Sequence, residues 1–347
     1  MYKKKIILTI SLIGVLIGTY FVINFYQIFF WDNTQFKKEA SYVFIDRDDT
    51  IDSLDIQLLP LLKSVDRFRI AANKKGYADR LKPGKYKLTP NLGNNQIINI
   101  LRSQRLTVKV VFNNQERLEN LAERIADQIE PDETSLLEAF YDEGFLKSNG
   151  FTKENALTMY LPNSYDVFWD ASPEVFRDLM LKNYQIFWNK ERLLKASALN
   201  LTPMQVYILA SIVHKESVKV EEQPRIAGLY LNRLKKGMKL QADPTVIFAI
   251  KKASGNFDQQ IKRVLYKDLR LKSPYNTYKI KGLPPGPIAM PDLSAIEAVL
   301  NPEKHSYLYF VASPEKPGYH LFAKTLVQHN INKKAYVRWI NKQKIFR

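Results

Sequence analysis

An uncharged run dominates the start of the chain. After Lys3, Lys4 and Lys5, every position from Ile6 to Trp31 is apolar or mildly polar, with Asn24 and Gln27 the main interruptions. Ile6 to Ile23 is 18 residues, and the flank through Phe30 and Trp31 extends it to 26. As a helix, that length crosses roughly 30 Å of hydrocarbon. Tyr26 and Trp31 suit an interfacial belt, and the lysines before the run predict a cytoplasmic N-terminus with the remainder exported. A cleaved signal peptide has a shorter apolar core and an Ala-x-Ala exit, neither of which is seen here. The division read from the pattern is a tail at 1–5, a transmembrane helix at 6–31 and a polar connector at 32–40.

The next segment, 41–106, reads as a small α+β module. Ser41 to Ile45 alternates like a strand, and Asp49-Thr50 marks a helix start before Leu54, Leu58, Leu61 and Leu62 at helical spacing. Phe68 to Ala72 predicts a second helix ending towards Gly76. Pro83-Gly84 turns into a short strand, and Asn95 to Leu101 predicts a third helix. The module carries no nucleophile, metal cluster or glycine-rich phosphate loop, so binding or spacing suits it better than catalysis.

From 107 to 347 the pattern is mixed and mainly helical. Leu106 to Phe112 is a strand, and helices are expected over 116–128, 134–141 and 173–194. Tyr160 to Tyr165 reads as irregular, because Pro162 and Asn163 interrupt it. Phe168, Trp169, Phe176, Tyr184, Phe187 and Trp188 fit either an ordinary core or a groove for stacking sugars.

The most legible helix begins at Leu201-Thr202-Pro203-Met204-Gln205. Thr202 is the N-cap, Pro203 takes the first helical position, and Gln205 completes a capping box. The helix runs to Ser217, with Leu209, Ile212 and Glu216 along one line, so Glu216 continues an apolar stripe. A carboxyl there is desolvated, and it also lies at the negative end of the helix dipole. Both effects raise its pKa and keep it protonated for use as a general acid. The alternative is a solvated glutamate paired with Lys215 or Lys219. Further along, Asp243 precedes Pro244 as a natural helix cap, and Ser273 to Tyr278 is rich in groups that bond to and stack on sugars. Gly282 to Ile288 forms a stiff loop.

Composition narrows the chemistry. With 52 basic against 35 acidic residues the net charge is +17, which favours anionic neighbours. The export signal turns that charge away from nucleic acid and towards membrane surface and cell wall. Zero cysteines exclude disulfides and thiolate chemistry, and four histidines leave little room for a histidine-rich metal site, so no metal or cofactor is expected.

Four ordered stretches, LASIVHKES (209–217), IAGLYLNRLKKGMKLQADPTV (226–246), SPYNTYKIKGLPPGPI (273–288) and YLYFVASPEKPGYHLF (307–322), resemble the endolytic murein transglycosylases of the MltG/YceG-like family. The resemblance implies an α+β chain with one N-terminal transmembrane helix, a LysM-like module at 41–106 and a mainly helical catalytic region at 107–347. It implies cleavage of MurNAc–GlcNAc β-1,4 bonds in new peptidoglycan strands with 1,6-anhydroMurNAc ends, close to peptidoglycan polymerases at the cytoplasmic membrane. The family's catalytic glutamate falls on Glu216. Asn232, Arg233, Gln241, Asp243, Tyr275 and Asn276 fall on polar positions that support or contact substrate. His214 stands where relatives often carry a second glutamate, which leaves Glu216 the only carboxylate of its helix and makes His214 a candidate for tuning it. The usual Glu-Gly after the strand following the module is replaced by Asn114-Gln115-Glu116. A muramidase using Glu221, Glu222 or Asp243 as a second carboxylate, and a noncatalytic wall-binding scaffold, are the competing readings.

Overall fold

The computed structural model describes residues 2–342. The fold is mixed α+β, with a long apolar N-terminal helix and a mainly helical remainder carrying short strands. The chain divides into two compact units. One comprises Met1–Val110, Gln128–Pro131 and Tyr165–Ser172; the other comprises Val111–Asp127, Asp132–Ser164 and Pro173–Arg347.

Helix α1 (Tyr2–Phe29) is long and apolar enough to cross a membrane, and its side chains are exposed along nearly its whole length. Its last turn behaves differently, because Ile28 and Phe29 are buried in the core of the first unit. The segment expected to be a polar connector is likewise built in at its start. Asn33 donates from Nδ2 to Asn94 Oδ1 at 2.8 Å and accepts at Oδ1 from the Ser64 amide at 2.9 Å. A side-chain amide can satisfy a donor and an acceptor at once, so Asn33 is 4% exposed without stranding a polar group.

The module that follows runs β1 (Ser41–Ile45), α2 (Ile51–Leu58), α3 (Val65–Lys74), β2 (Gly84–Leu88) and α4 (Asn94–Ser103). Strands β1 and β2 pair antiparallel, with Val43 opposite Tyr86. Period-2 alternation turns Val43, Ile45, Tyr86 and Leu88 inward, where they meet Leu54, Leu58, Phe68, Ile97 and Leu101 from the helices. Each such buried aliphatic or aromatic side chain contributes about 1.5–3 kcal/mol. Thr50 caps α2 and forms a reciprocal capping box with Ser53.

In the rest of the chain, β3 (Thr107–Phe112) pairs with β4 (Asn163–Phe168). Helices α5 (Leu118–Ala126) and α6 (Glu133–Phe140) pack together, followed by the short α7 (Glu143–Ser148). Two expectations change here. The stretch read as irregular becomes strand from Asn163 onward, since Tyr165 and Val167 alternate inward. The single helix expected over 173–194 is two, α8 (Pro173–Phe187) and α9 (Lys190–Ala198). Asn189 breaks it by accepting a hydrogen bond from the Arg192 amide at 3.0 Å, the geometry of an N-cap.

Helix α10 (Pro203–Glu216) is the centre of the second unit, with every residue from Val206 to Val213 buried. Around it pack α11 (Gln223–Lys235), α12 (Asp243–Ser254) and α13 (Leu293–Leu300). The antiparallel hairpin of β5 (Tyr309–Ala312) and β6 (His320–Ala323) carries α14 (Leu326–Lys342) against it.

Candidate active site

The start of α10 is fixed as the sequence predicts. The Gln205 amide donates to Thr202 Oγ1 at 3.2 Å, and the Thr202 amide donates to Gln205 Oε1 at 2.9 Å. With the first turn held, the buried body of the helix delivers Glu216 at its last position, one residue before the extended Ser217. Leu209 and Ile212, on the same line, are fully buried, so Glu216 emerges from core and not from a charged face.

Glu216 is half-buried as a residue, but its carboxyl is buried and accepts a 2.6 Å hydrogen bond at Oε1 from the hydroxyl of Tyr230, a fully buried residue of α11. Burial raises its pKa to about 7, and the nearby Asp243 carboxylate adds to the rise. The Tyr230 hydrogen bond and the positive charge of His320 and Arg233 oppose it without cancelling it. Near neutral pH the group is therefore divided between acid and base forms, the condition for giving a proton and then taking one.

Two loops place the charge partners. Thr277 accepts from the Ala242 amide at Oγ1 (3.0 Å) and lies 2.8 Å from the Thr245 hydroxyl, joining the start of α12 to the 275–278 loop. Asp243 and Tyr278 are thereby brought together, and the Tyr278 hydroxyl donates to Asp243 Oδ1 at 2.6 Å. The expected capping role of Asp243 is not what is found. Ala242 is the N-cap, Asp243 lies inside the first turn, and its carboxylate turns to Tyr278. Burial raises the Asp243 pKa, against the lowering effect of the Tyr278 hydrogen bond and of Lys333.

Arg233 is 6% exposed and ties three segments together. It donates from Nε to the Leu308 carbonyl at 2.6 Å and from Nη1 to the Leu240 carbonyl at 2.6 Å. Its charge also reaches Glu216. Asn232, the residue before it, donates to the carbonyls of His305 (2.9 Å) and Tyr307 (3.1 Å), anchoring the approach to β5. Gln241 is exposed and adopts a left-handed backbone with φ of 51°, a sparsely populated conformation for a residue with a side chain.

Tyr275 and Asn276 sit deeper. Tyr275 is 2% exposed and packs on Phe248 with ring centroids 4.7 Å apart. Asn276 is fully buried; its Nδ2 donates to the Leu271 carbonyl at 2.8 Å and its Oδ1 accepts from the Tyr278 amide at 3.0 Å. Both shape the loop that presents Tyr278. His214 lies two residues before Glu216, which on a helix turns it well away, and its Nδ1 is 3.3 Å from Asp292 Oδ2. Burial lowers its pKa, with Asp292 opposing, and it is not among the charge partners of Glu216.

The geometry adds residues that the sequence did not single out for Glu216. Tyr230 had looked like a packing residue, and the connection of His320 to the site runs through side chains distant in sequence. The signal for Tyr230 was present: it lies on a helix facing α10 and carries a hydroxyl that needs a partner once buried. In the turn Asn114-Gln115-Glu116, Asn114 donates to the Met290 carbonyl at 3.0 Å and Glu116 pairs with Lys251 at 2.9 Å.

Comparison with known proteins places these features in context. The sequence model of the YceG-like family matches residues 43–335. Over 129 residues the chain is 46% identical to an endolytic murein transglycosylase of Bacillus subtilis, a match covering 37% of this chain and 33% of that protein. Over 155 residues it is 35% identical to an endolytic murein transglycosylase of Streptococcus pneumoniae, covering 44% of this chain and 27% of that one. These matches thus span about a third or less of the curated relatives' length. The crystal structure of a YceG-like protein from Listeria monocytogenes superposes with a TM-score of 0.55 at 28% identity, covering 85% of this chain and 99% of that one.

Proposed function

The chain belongs to the YceG-like family, and from that premise we propose that it is an endolytic murein transglycosylase with Glu216 as its catalytic acid and base. The observation that carries the reading is the Glu216 carboxyl: buried, bonded by Tyr230 and poised at about 7. In its protonated form it gives a proton to the oxygen of a MurNAc–GlcNAc β-1,4 bond as positive charge grows at C1. The carboxylate left behind then takes the proton of the MurNAc 6-hydroxyl, which attacks C1 of its own ring. The glycosidic C–O bond breaks, a C1–O6 bond forms, and one strand leaves with a 1,6-anhydroMurNAc end and the other with a free 4-hydroxyl. Because the nucleophile belongs to the substrate, one carboxyl serves both steps, whereas hydrolysis with water uses a pair.

Asp243 is the observation that favours a second reading. It is close enough to influence Glu216, and a muramidase would use it beside Glu216 as the second carboxylate. Its Oδ1 is already engaged by the Tyr278 hydroxyl at 2.6 Å, which leaves it less available to activate a water and supports the one-carboxyl scheme. Product masses separate the two. Purified glycan strands treated with the parent protein are expected to give anhydro ends, lighter by one water than reducing ends. Glu216→Gln, close in shape but unable to titrate, is expected to give neither. Reducing ends alone would establish the muramidase, and parental rates from Glu216→Gln would leave a noncatalytic scaffold.

In the same reading, α1 is a single-pass anchor with its N-terminus in the cytoplasm, holding the rest of the chain outside the membrane. The three lysines before the helix support that direction. The β-α-α-β order of 41–88 and its antiparallel β1–β2 pair support a LysM-like module that engages glycan. An anchored enzyme of this kind works on strands as they emerge, beside the polymerases that make them.

A further inference from the structure

His320 opens β6 and is held by Glu222, the residue before α11. The Glu222 carboxylate is 4% exposed and accepts two hydrogen bonds from this one residue, from the His320 backbone amide at 2.8 Å and from Nδ1 at 2.8 Å. Burial pushes the Glu222 pKa up, but the His320 bonds and a Ser217 bond outweigh it, so the group is held below its ordinary value and stays ionised. An ionised carboxylate only accepts, so the Nδ1 of His320 must carry the proton. In the neutral ring Nε2 is then a bare acceptor. It makes no hydrogen bond to any described residue, and the ring keeps 12% of its surface exposed.

This acceptor stands next to the Glu216 site. Phe310 meets His320 edge-on with centroids 4.9 Å apart, and meets Tyr230 edge-on at 6.0 Å; Tyr230 in turn bonds Glu216. On the other side, Ser217 adjoins Glu216 and bonds the same Glu222 that fixes the imidazole. The charged groups that act on the ring are Glu222, the residue just before α11, and Glu216 at the end of α10. Its neighbours from the hairpin, Phe310 and Phe322, do not titrate. A histidine wanted only for packing would not need a buried carboxylate to set its tautomer while its second nitrogen stays unused.

We propose that His320 is a further catalytic residue of this site, whose Nε2 accepts a hydrogen bond from a hydroxyl of the saccharide held at Glu216 and orients that ring for cleavage. The proposal rests on the transglycosylase reading of Glu216.

Two substitutions separate this role from a structural one. His320→Asn keeps an amide N–H where Nδ1 stands, so Glu222 remains bonded, and leaves nothing where Nε2 stands. His320→Gln reaches the Nε2 position with an amide oxygen. With the full chain in detergent and purified glycan strands, His320→Asn is expected to lose about tenfold or more in kcat/KM, with parental melting, and His320→Gln is expected to recover part of the loss. Nitrogen-15 spectra of the parent are expected to show an unprotonated Nε2 in the neutral ring, which holds as a test even if His320→Asn melts early. A parental kcat/KM in His320→Asn, or a neutral ring protonated at Nε2, overturns the proposal and leaves the Glu216 reading intact. A parent that cleaves no strand overturns that reading and this proposal with it.

Discussion

The Tyr230 hydroxyl donates to Glu216 Oε1 at 2.6 Å, so a fully buried phenol on α11 holds the carboxyl that ends α10. A donor to a carboxylate stabilises the ionised form, and here it restrains a pKa that burial has already pushed to about 7. Tyr230→Phe removes the donor and leaves the burial unchanged. The Glu216 pKa is expected to rise by roughly one pH unit, the size expected for a hydrogen bond to a charged group. The basic limb of the kcat/KM profile should move up by the same amount, because the acid form persists to higher pH. A basic limb that stays in place or moves down would show that Tyr230 does not set this ionisation.

The same carboxyl ties stability to pH, with a sign opposite to that of a salt-bridged acid. Its folded pKa of about 7 lies above the ordinary glutamate value near 4.5. Between those values the folded state binds more protons than the unfolded one, so its contribution to stability falls as pH rises through that window. Glu216→Gln abolishes this dependence and can still accept from Tyr230 at its amide oxygen. The variant is expected to melt above the parent at pH 8 and close to it at pH 4, measured by thermal unfolding in matched buffers. An equal gap at both pH values would count against a buried, proton-sharing Glu216.

Much of this site was legible in the sequence because its frame is local. The capping box at Thr202 and Gln205, the apolar line Leu209–Ile212–Glu216 and the helix end at Ser217 all lie within one turn or a few of each other, and helical spacing reveals them. What escaped was set by distant pairs. The Tyr230–Glu216 bond joins two helices, Glu222 meets His320 across 98 positions, and Asp243 leaves its expected cap for Tyr278, 35 positions on. The split at Asn189 was hidden because apolar spacing continues across it, while a single side-chain bond to the Arg192 amide restarts the helix. Ile28 and Phe29 show the same limit: their composition fits a lipid-facing turn, and only the fold puts them in a core.

Arg233 is expected to matter for folding as well as for charge. Arg233→Met leaves the carbonyls of Leu240 and Leu308 without this donor in a buried setting. Unsatisfied groups of this kind cost about 1–3 kcal/mol each, so urea unfolding should show a loss of at least about 2 kcal/mol. Removing the cation also removes a restraint on the Glu216 pKa, which should rise. A variant with parental stability would mean that the loops carried by Arg233 are held from elsewhere.

Gly286 tests the stiff loop from Gly282 to Ile288. A Cβ at this position would lie 1.8 Å from the Glu154 carbonyl oxygen, a backbone atom that cannot swing aside, and 3.1 Å from the Tyr275 hydroxyl. The loop then continues to Ile288, whose amide donates to Ser211 Oγ on α10 at 3.2 Å. Gly286→Ala must push these backbones apart, and it is expected to lower the melting temperature and to loosen the 275–278 segment that presents Tyr278 to Asp243. Crosslinking or amide exchange over that segment should report the loosening even where the fold survives.

The end of α1 gives the last test, because it separates anchoring from folding. A chain beginning at Asn24 lacks most of the apolar run but keeps Ile28, Phe29, Asn33 and Thr34. One beginning at Gln35 loses the two buried side chains, the Asn33 bonds to Ser64 and Asn94, and the Asn94 bond to the Ile28 carbonyl at 2.7 Å. Burial of two large apolar side chains alone is worth about 3–6 kcal/mol. The shorter chain is therefore expected to lose stability in the 41–106 module, seen as faster amide exchange in β1, β2 and α4, while the second unit keeps its protection. The chain from Asn24 should protect both. Equal protection of the module in the two chains would return the last turn of α1 to the membrane and make residues 32–35 a simple tether.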